Sequence, residues 1–349
     1  MALAGAFFFG FAPMFLFAAF VNWLDRYEKE PKLLLGAAFI WGVVIAGGGA
    51  FVLNTAVGIG VYSLTGSAKA ADFSTTSIAA PIIEEALKGL AVLLVFLMFR
   101  KEFDSILDGI VYGSITAMGF AAIENVLYIY RNGFQEGGWE GFWILVFIRV
   151  VLVGWMHPFF TAFTGIGLAL VRISRNALVK LFAVPSGYLV AVATHSFHNT
   201  FSSVIGGGGG FVLGLIADYF GYACMLGFII WMIAHERNIL KNQLVEEVNN
   251  GIMTSRQYNT AISFFQSGVH LSALASGNFR ATSRFYQALG KLAHKKEQAQ
   301  HMGDVLVNAQ VIESLRAEIA LLAPSAKAHK RLSQKHEYKH YDKIPPSPP

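Results

Sequence analysis

The sequence predicts an all-α fold, a polytopic membrane bundle of about seven transmembrane helices with a small helical C-terminal region. Hydrophobic residues make up 54% of the 349-residue chain and charged residues only 14%, whereas soluble domains carry about 25% charged residues. The chain contains seven apolar segments, and each is long enough to cross a bilayer as a helix. They occupy positions 2–24, 33–63, 78–99, 105–130, 142–171, 179–203 and 209–234.

Basic residues in the connections predict the orientation of these segments. The first, third and fifth connections each carry several Lys or Arg residues, whereas the second, fourth and sixth hold only Lys69 and Arg131. Because cytoplasmic loops are enriched in Lys and Arg, this alternation predicts a multi-pass cell-membrane protein with its N-terminus outside and its C-terminal region in the cytoplasm. The net charge of +5 is therefore an orientation signal, and we predict no nucleic-acid partner.

The composition divides the chain into three parts. Residues 1–235 form the predicted membrane domain, and 236–324 form a cytoplasmic helical region in which Thr254 and Gln257 have the spacing of a helix capping box. Nothing in this second part has the spacing of a catalytic site. Residues 325–349 are basic and end in a proline-rich run, so we predict a disordered tail.

Two adjacent carboxylates and a lysine stand at the start of the third apolar segment, in the order Glu84-Glu85-Ala86-Leu87-Lys88. Charged residues at the centre of a membrane helix cost roughly 2.5–3.5 kcal/mol each. Glu84 and Lys88 lie four residues apart and share a helix face, whereas Glu85 is offset by about 100°. We therefore expect Lys88 to neutralise Glu84 and to leave Glu85 as a reactive carboxylate. The alternative is a structural ion pair that locks two helices together.

Further polar residues fall inside the later apolar segments. Under the predicted topology they lie with the acid pair in the outer half of the membrane or near its middle, whereas unrelated packing residues would scatter in depth. Each one alone has a structural alternative, such as a hydrogen-bonded packing histidine or an ion pair between a carboxylate and Arg149. The residues are Glu124, Asn125, Arg149, His157, His195, His198 and Asn199.

Carboxylates and imidazoles that converge in a low-dielectric cavity are suited to water activation. Two imidazoles and a carboxylate fit a zinc-like divalent ion with one open position, and another glutamate can accept the proton of the water. The HExxH, GxSxG and Walker motifs of soluble hydrolases are absent from the sequence. A proton- or cation-coupled transporter would also place Glu and His at membrane depth, although no inverted repeat is evident. A non-catalytic membrane scaffold is a third possibility.

Four motifs of this chain, taken together, resemble those of the PrsW family of intramembrane proteases, which is distantly related to the CAAX-protease and bacteriocin-immunity group. The resemblance covers about residues 20–235. It implies cleavage of a membrane-anchored protein, in some members an anti-sigma factor at its first site, by a metallopeptidase. Related CAAX-type enzymes have been described as glutamate-dependent without a catalytic metal, and they have histidine where this chain has Glu124. The motifs are Glu84-Glu85-x-x-Lys88, Phe120-x-x-x-Glu124-Asn125, His157 followed by Thr161 and Gly165, and His195-x-x-x-Asn199.

Residue chemistry and this resemblance together imply one assignment of roles. Glu84 or Glu85 is the expected general base, Lys88 orients or tunes the pair, and Asn199 contacts the oxyanion or the water. The expected ligands of a divalent metal, zinc in the first instance, are Glu124, His157 and His195. The expected partners are a membrane-anchored protein substrate and the lipid bilayer.

Overall fold

The computed structural model describes residues 1–203, 208–302 and 305–329. Helices account for the regular structure of this part of the chain, and no strand occurs in it. The predicted all-α class is therefore confirmed. Part of the glycine run at 206–210 and the tail from residue 330 onward lie outside the described residues.

The helices follow one another through short connections. Pi-helical turns at 42–46, 74–79, 128–135 and 147–152 interrupt or join several of them. The helices are α1 Ala2–Leu24, α2 Lys32–Thr65, α3 Ala68–Phe73, α4 Ala80–Met98, α5 Ile106–Leu127, α6 Glu136–Val146, α7 Met156–Ile173, α8 Ala177–Ser203, α9 Gly208–Gln243, α10 Val245–Asn249, α11 Ser255–Ala261, α12 Ser267–Ala275, α13 Phe279–Met302 and α14 Val305–Leu322.

Five helical stretches of the described chain are long and apolar enough to cross a membrane. The third contains 68 residues, which would extend for about 100 Å as one straight helix, and Gly138 breaks it with a φ of 60°. The third segment predicted from sequence is α4, whose three charged residues lower its apolarity. That the chain crosses the membrane about seven times stays a prediction. The five stretches are Ala2–Leu24, Lys32–Thr65, Ile106–Ile173, Ala177–Phe201 and Gly209–Asn249.

Two helices, α5 and α7, pack against each other in antiparallel fashion. Gly109 of α5 lies against the backbone of Gly165 of α7, and a side chain on either glycine would collide with the carbonyl of the other. Gly113 faces Thr161 one turn further along. Small residues at these positions allow the two backbones to approach closely. This packing brings the polar residues of α5 and α7 into one interior.

Local signals explain where the helices of this interior begin. Ser105 caps α5, because its hydroxyl accepts a hydrogen bond from the Asp108 amide while the Asp108 carboxylate accepts one from the Ser105 amide, at 2.7 Å. Pro81 follows the π-helical turn 74–79 closely, and its missing N–H leaves a backbone oxygen of that turn without a helical donor.

The described chain separates into two compact units, one comprising residues 1–25 and 30–230 and the other comprising 26–29 and the residues from 231 onward. The first unit contains α1 to α8 and most of α9. In the second unit, the fully buried Glu247 pairs with Lys296 at 2.9 Å and with Arg316 at 3.0 Å. The capping box predicted at Thr254 and Gln257 is present and begins α11.

The first residues of the predicted tail make backbone hydrogen bonds to threonine side chains of the second unit. The backbone amides of Lys327 and His329 donate hydrogen bonds to the hydroxyls of Thr282 and Thr260, at 3.1 and 3.0 Å. Residues 325–329 therefore pack within the second unit, because threonine side chains satisfy their backbone groups. The predicted division at residues 235 and 324 stays a prediction.

Candidate functional site

The first unit contains a partly open cavity of about 670 Å³, lined by apolar side chains and a group of polar ones. Residues from α2, α4, α5, α7, α8 and the first turn of α9 contribute to its wall. The cavity thus gathers side chains that are far apart in sequence into one interior. The polar lining residues named from sequence are Glu84, Glu124, Arg149, His157, His195, His198 and Asn199.

Glu85, and not Glu84, is the partner of Lys88. The Lys88 ammonium lies 2.5 Å from Glu85 Oε1, and both side chains are fully buried. Thr161 Oγ1 donates to Glu85 Oε2 at 2.8 Å, and His195 Nδ1 lies 3.0 Å from Oε1. The expected pairing of Lys88 with Glu84 is therefore wrong. The i,i+3 spacing also places two side chains on one face, and partners from α7 and α8 favour Glu85.

Glu84 is the carboxylate that remains incompletely bonded. Its Oε1 accepts a hydrogen bond from Asn54 Nδ2 at 3.2 Å. Its Oε2 is buried and has no hydrogen-bond partner among the described residues, although His195 Nε2 lies 3.8 Å away. A buried oxygen of this kind is costly unless a proton, a water or an ion reaches it. Among the described residues, Glu84 is thus the member of the acid pair with an acceptor atom left for a further partner.

His157 stands between a lysine and a second carboxylate. Its Nδ1 lies 3.2 Å from Lys88 Nζ, and its Nε2 lies 2.8 Å from Glu124 Oε2. Because an ammonium can only donate, Nδ1 is the acceptor and Nε2 carries the proton in this arrangement. The ring is almost completely buried, so these two contacts fix its orientation.

Glu124 is also held by Arg149, which forms an ion pair with its carboxylate and donates to Asn125 Oδ1 at 3.0 Å. The guanidinium stacks 4.3 Å from the centroid of the Tyr128 ring. The structural alternative foreseen for Glu124, a pair with Arg149, is thus present. The role of Glu124 as a metal ligand stays a prediction. It would require the Glu124 carboxylate to rotate away from Arg149.

Asn199 makes a contact that differs from the expected one. Its Nδ2 donates to the backbone oxygen of Thr76 at 2.9 Å, and Ser196 Oγ donates to the oxygen of Ser77 at 2.7 Å. Both acceptors belong to the π-helical turn before α4, where the altered hydrogen bonding frees carbonyl groups. These contacts attach α8 to the start of the acid-bearing helix, and a water or oxyanion contact of Asn199 stays a prediction.

The donor set of the cavity fits a divalent metal ion. Ligand atoms of Glu84, His157 and His195 all lie within 4.8 Å of one another. The His195 Nδ1 contact with Glu85 leaves Nε2 directed toward Glu84, as when a second carboxylate orients a metal-binding imidazole. This group contains Glu84 where the sequence assignment had Glu124.

The sequence analysis missed two polar residues of this region, the half-buried Asn54 and the buried Asp218. Asn54 of α2 orients Glu84, and Asp218 of α9 lies 2.5 Å from His198 Nδ1. Asp218 interrupts an apolar helix, and such an isolated membrane carboxylate is itself a sequence signal of a buried partner.

Comparison with known proteins identifies the family of this chain. A family model described as PrsW family intramembrane metalloprotease matches residues 30–245. The chain belongs to the PrsW family. The resemblance of the four motifs is therefore confirmed, and the family and the apolar helices together identify a multi-pass membrane protein.

Curated relatives named Protease PrsW show moderate similarity over part of their length. The protein of Geobacillus kaustophilus is 29% identical over 126 residues, which cover 36% of this chain and 52% of the relative. The Bacillus subtilis protein is 26% identical over 167 residues, which cover 48% of this chain and 69% of the relative. The Clostridioides difficile protein is 32% identical over 108 residues, which cover 31% of this chain and 43% of the relative. The chain thus spans about half the length of most of these relatives, and no solved structure matches it.

Proposed function

We propose that this chain is an intramembrane metalloprotease that hydrolyses a membrane-anchored protein, with an anti-sigma factor as one candidate of that class. The observation that carries the proposal is the buried Glu84 oxygen without a partner, which lies beside two imidazoles in a cavity of the membrane domain. Membership of the PrsW family supports the same activity. A transporter would use similar buried carboxylates, but the family assignment does not favour it.

Glu84 is the group that accepts the proton of the attacking water. Its Oε1 is held by Asn54, so its Oε2 is the atom directed toward a water or an ion. A carboxylate in a cavity with few competing donors is a suitable general base when it lies within hydrogen-bond reach of the water. The same carboxyl group can then return the proton to the leaving amine.

Glu85 and Lys88 act as positioning residues in this mechanism. Glu85 holds His195 through Nδ1 and accepts from Thr161, while Lys88 neutralises Glu85 and holds His157 through Nδ1. Glu85 therefore leaves His195 Nε2 directed toward Glu84, whereas the Lys88 contact orients the His157 ring before an ion binds. Such fixed orientation lowers the reorganisation that the reaction requires.

A divalent ion would be held by His157 and His195 together with Glu124. Binding through His157 Nε2 would require this nitrogen to give up its proton, so that Nδ1 would carry the proton and would no longer accept from Lys88. When bound, the ion would polarise the scissile carbonyl and lower the pKa of a bound water. Glu84 in place of Glu124 is the second possible carboxylate ligand, since it belongs to the clustered donor group.

Removal of the metal tests this proposal. The probe is a casein segment joined to a synthetic leucine–alanine helix of about 20 residues, the length that spans a bilayer. We expect the purified full-length protein to cleave this anchored casein, to lose that activity in a strong chelator and to regain it with Zn²⁺. Cleavage by protein shown to be metal-free would contradict the metal assignment. A folded, metal-loaded protein that cleaves nothing would contradict the protease.

We also propose that the N-terminus faces outward and that the cavity opens on the outer side. The support is the alternation of Lys and Arg between connections. Cys224 is the single cysteine, so Cys224→Ser provides a background without thiols. Cysteines at Ser74 and Asn132 should react with an impermeant thiol reagent in intact cells, and one at Ser174 should not. The reverse labelling would overturn this orientation.

A further inference from the structure

Few residues in the membrane part of helix α9 are buried. Between residues 209 and 230, the buried residues are Gly210, Gly214 and Asp218, which recur every four positions and therefore share one face. Large apolar side chains on the other faces, including Ile216 and Phe220, are exposed. In contrast, most residues of α7 in the centre of the bundle are buried.

This thinly packed helix forms part of the cavity wall. Phe211 of α9 lines the same cavity as Glu84, His195 and His198. A displacement of α9 away from α8 would therefore connect the cavity with the lipid beside the two helices.

On the side of α8, the contact of α9 is made of small residues and one polar pair. On the side of α7, Tyr222 of α9 packs edge to face on Phe159, with ring centroids 5.4 Å apart. The Cβ of a side chain at Gly214 would lie 3.1 Å from the Cβ of Phe201 on α8. One turn further along, His198 Nδ1 lies 2.5 Å from Asp218 Oδ2, and both side chains are buried. Breaking this pair without a replacement would leave a carboxylate unpaired in an apolar environment. The pair therefore favours the closed arrangement, while the slight apolar packing around it permits opening.

A membrane-anchored substrate imposes a requirement on this architecture. Its anchor cannot leave the lipid, so the part of the anchor beside the cleavage site must move sideways between helices to reach the cavity. We propose that the seam between α8 and α9, formed by Phe201, Gly214, His198 and Asp218, is the entrance for the transmembrane segment of a protein substrate. The His198–Asp218 pair holds this entrance closed. The inference rests on the proposed protease function and adds the route of its substrate.

A disulfide across the seam tests the entrance. In a Cys224→Ser background, cysteines at Gly214 and Phe201 would have a Cβ separation of 3.1 Å, and a small shift of the helices would bring it to the roughly 3.5–4.5 Å of disulfides. Oxidation should slow the cleavage of anchored casein by an order of magnitude or more and leave the cleavage of free casein unchanged. Reduction should restore the rate. The two single-cysteine variants, treated with the same oxidant, are the controls. Undiminished cleavage of anchored casein by fully cross-linked protein, or equal loss of both activities, would overturn the entrance.

A chemical probe separates this inference from the protease function. Dicyclohexylcarbodiimide, which partitions into lipid, should modify Glu84 more slowly in the oxidised protein, whereas a water-soluble carbodiimide should be unaffected, with the site of modification located by mass spectrometry. Replacing both His198 and Asp218 by leucine removes the pair without leaving an unpaired charge and should accelerate the lipid-side labelling. If no form of the protein cleaves either casein, the proposed protease function is wrong, and the labelling of Glu84 still shows whether the seam between α8 and α9 is an entrance from the lipid. Equal lipid-side labelling of oxidised and reduced protein would then overturn the entrance.

Discussion

Replacing Glu84 by glutamine should reduce hydrolysis of anchored casein by about 10²–10⁴-fold, the usual contribution of a general base. Glutamine has nearly the same shape and can keep the contact with Asn54, but it cannot accept a proton from water. Because Glu84 has no ion-pair partner within 4 Å other than His195 among the described residues, the variant should still accumulate in membranes. The measurement is the cleavage rate of purified protein at equal concentration.

The control for this variant is Glu140→Gln, which removes an exposed carboxylate of α6 and should leave the rate unchanged. Metal content then distinguishes the two roles open to Glu84. If Glu84 is only the base, the Glu84→Gln protein should keep its bound metal. If Glu84 is a metal ligand, the variant should lose the metal. Full activity of Glu84→Gln would contradict either role and restore the interpretation of the acid pair as purely structural.

Replacing Lys88 by methionine should destabilise the membrane unit by about 3–5 kcal/mol, the cost of removing one partner of a buried ion pair. The Lys88 ammonium contacts Glu85 at 2.5 Å and His157 at 3.2 Å, and it lies 4.4 Å from the centroid of the Phe120 ring. Without it, Glu85 would remain as a fully buried carboxylate with no cation. We expect low accumulation in membranes and early loss of the monodisperse protein on heating in detergent.

Two comparisons make this result specific to the pair. Lys180→Met changes an exposed lysine and should have little effect. The double variant Glu85→Gln, Lys88→Met removes both charges and should recover much of the accumulation, but not the activity, because His195 and His157 lose their oriented partners. Equal instability of the double variant and Lys88→Met would show that Lys88 stabilises the fold by packing and not by neutralising Glu85.

The pairing within the acid motif shows where sequence reasoning reached its limit. Helical spacing alone allows Lys88 to reach either Glu84 or Glu85, since both i,i+4 and i,i+3 neighbours share a face. The choice depends on Thr161 and His195, which come from two other helices and satisfy the remaining capacity of Glu85. A one-dimensional pattern contains no information on those distances.

Other parts of the site were more predictable. Ionisable residues are energetically costly inside a membrane, and this argument alone marked Glu84, Glu124, His157 and His195 as candidate site residues. The structure places all four in the wall of one cavity. The pair between Glu124 and Arg149 was foreseen only as an alternative. Asp218 lay within an apolar segment and was overlooked, although the same argument from cost applies to it.

The membrane-spanning pattern was predictable in outline, because long apolar helices are recognisable from composition. Its details were not. Helix α4 carries the three charges of the acid motif, and the stretch Ile106–Ile173 is broken at Gly138 by a backbone conformation that sequence alone does not reveal. The number of crossings and their direction depend on the bilayer, and the labelling of Ser74, Asn132 and Ser174 positions addresses both.

The most direct test of the proposed function is to map the products that wild-type protein and Glu84→Gln form from anchored casein in liposomes. Mass spectrometry of the new termini identifies each bond that is cut. We predict that the wild-type protein cuts within the synthetic helix or beside it, and that these termini are absent with Glu84→Gln. The same termini at the same rate from both proteins would contradict hydrolysis at the Glu84 site.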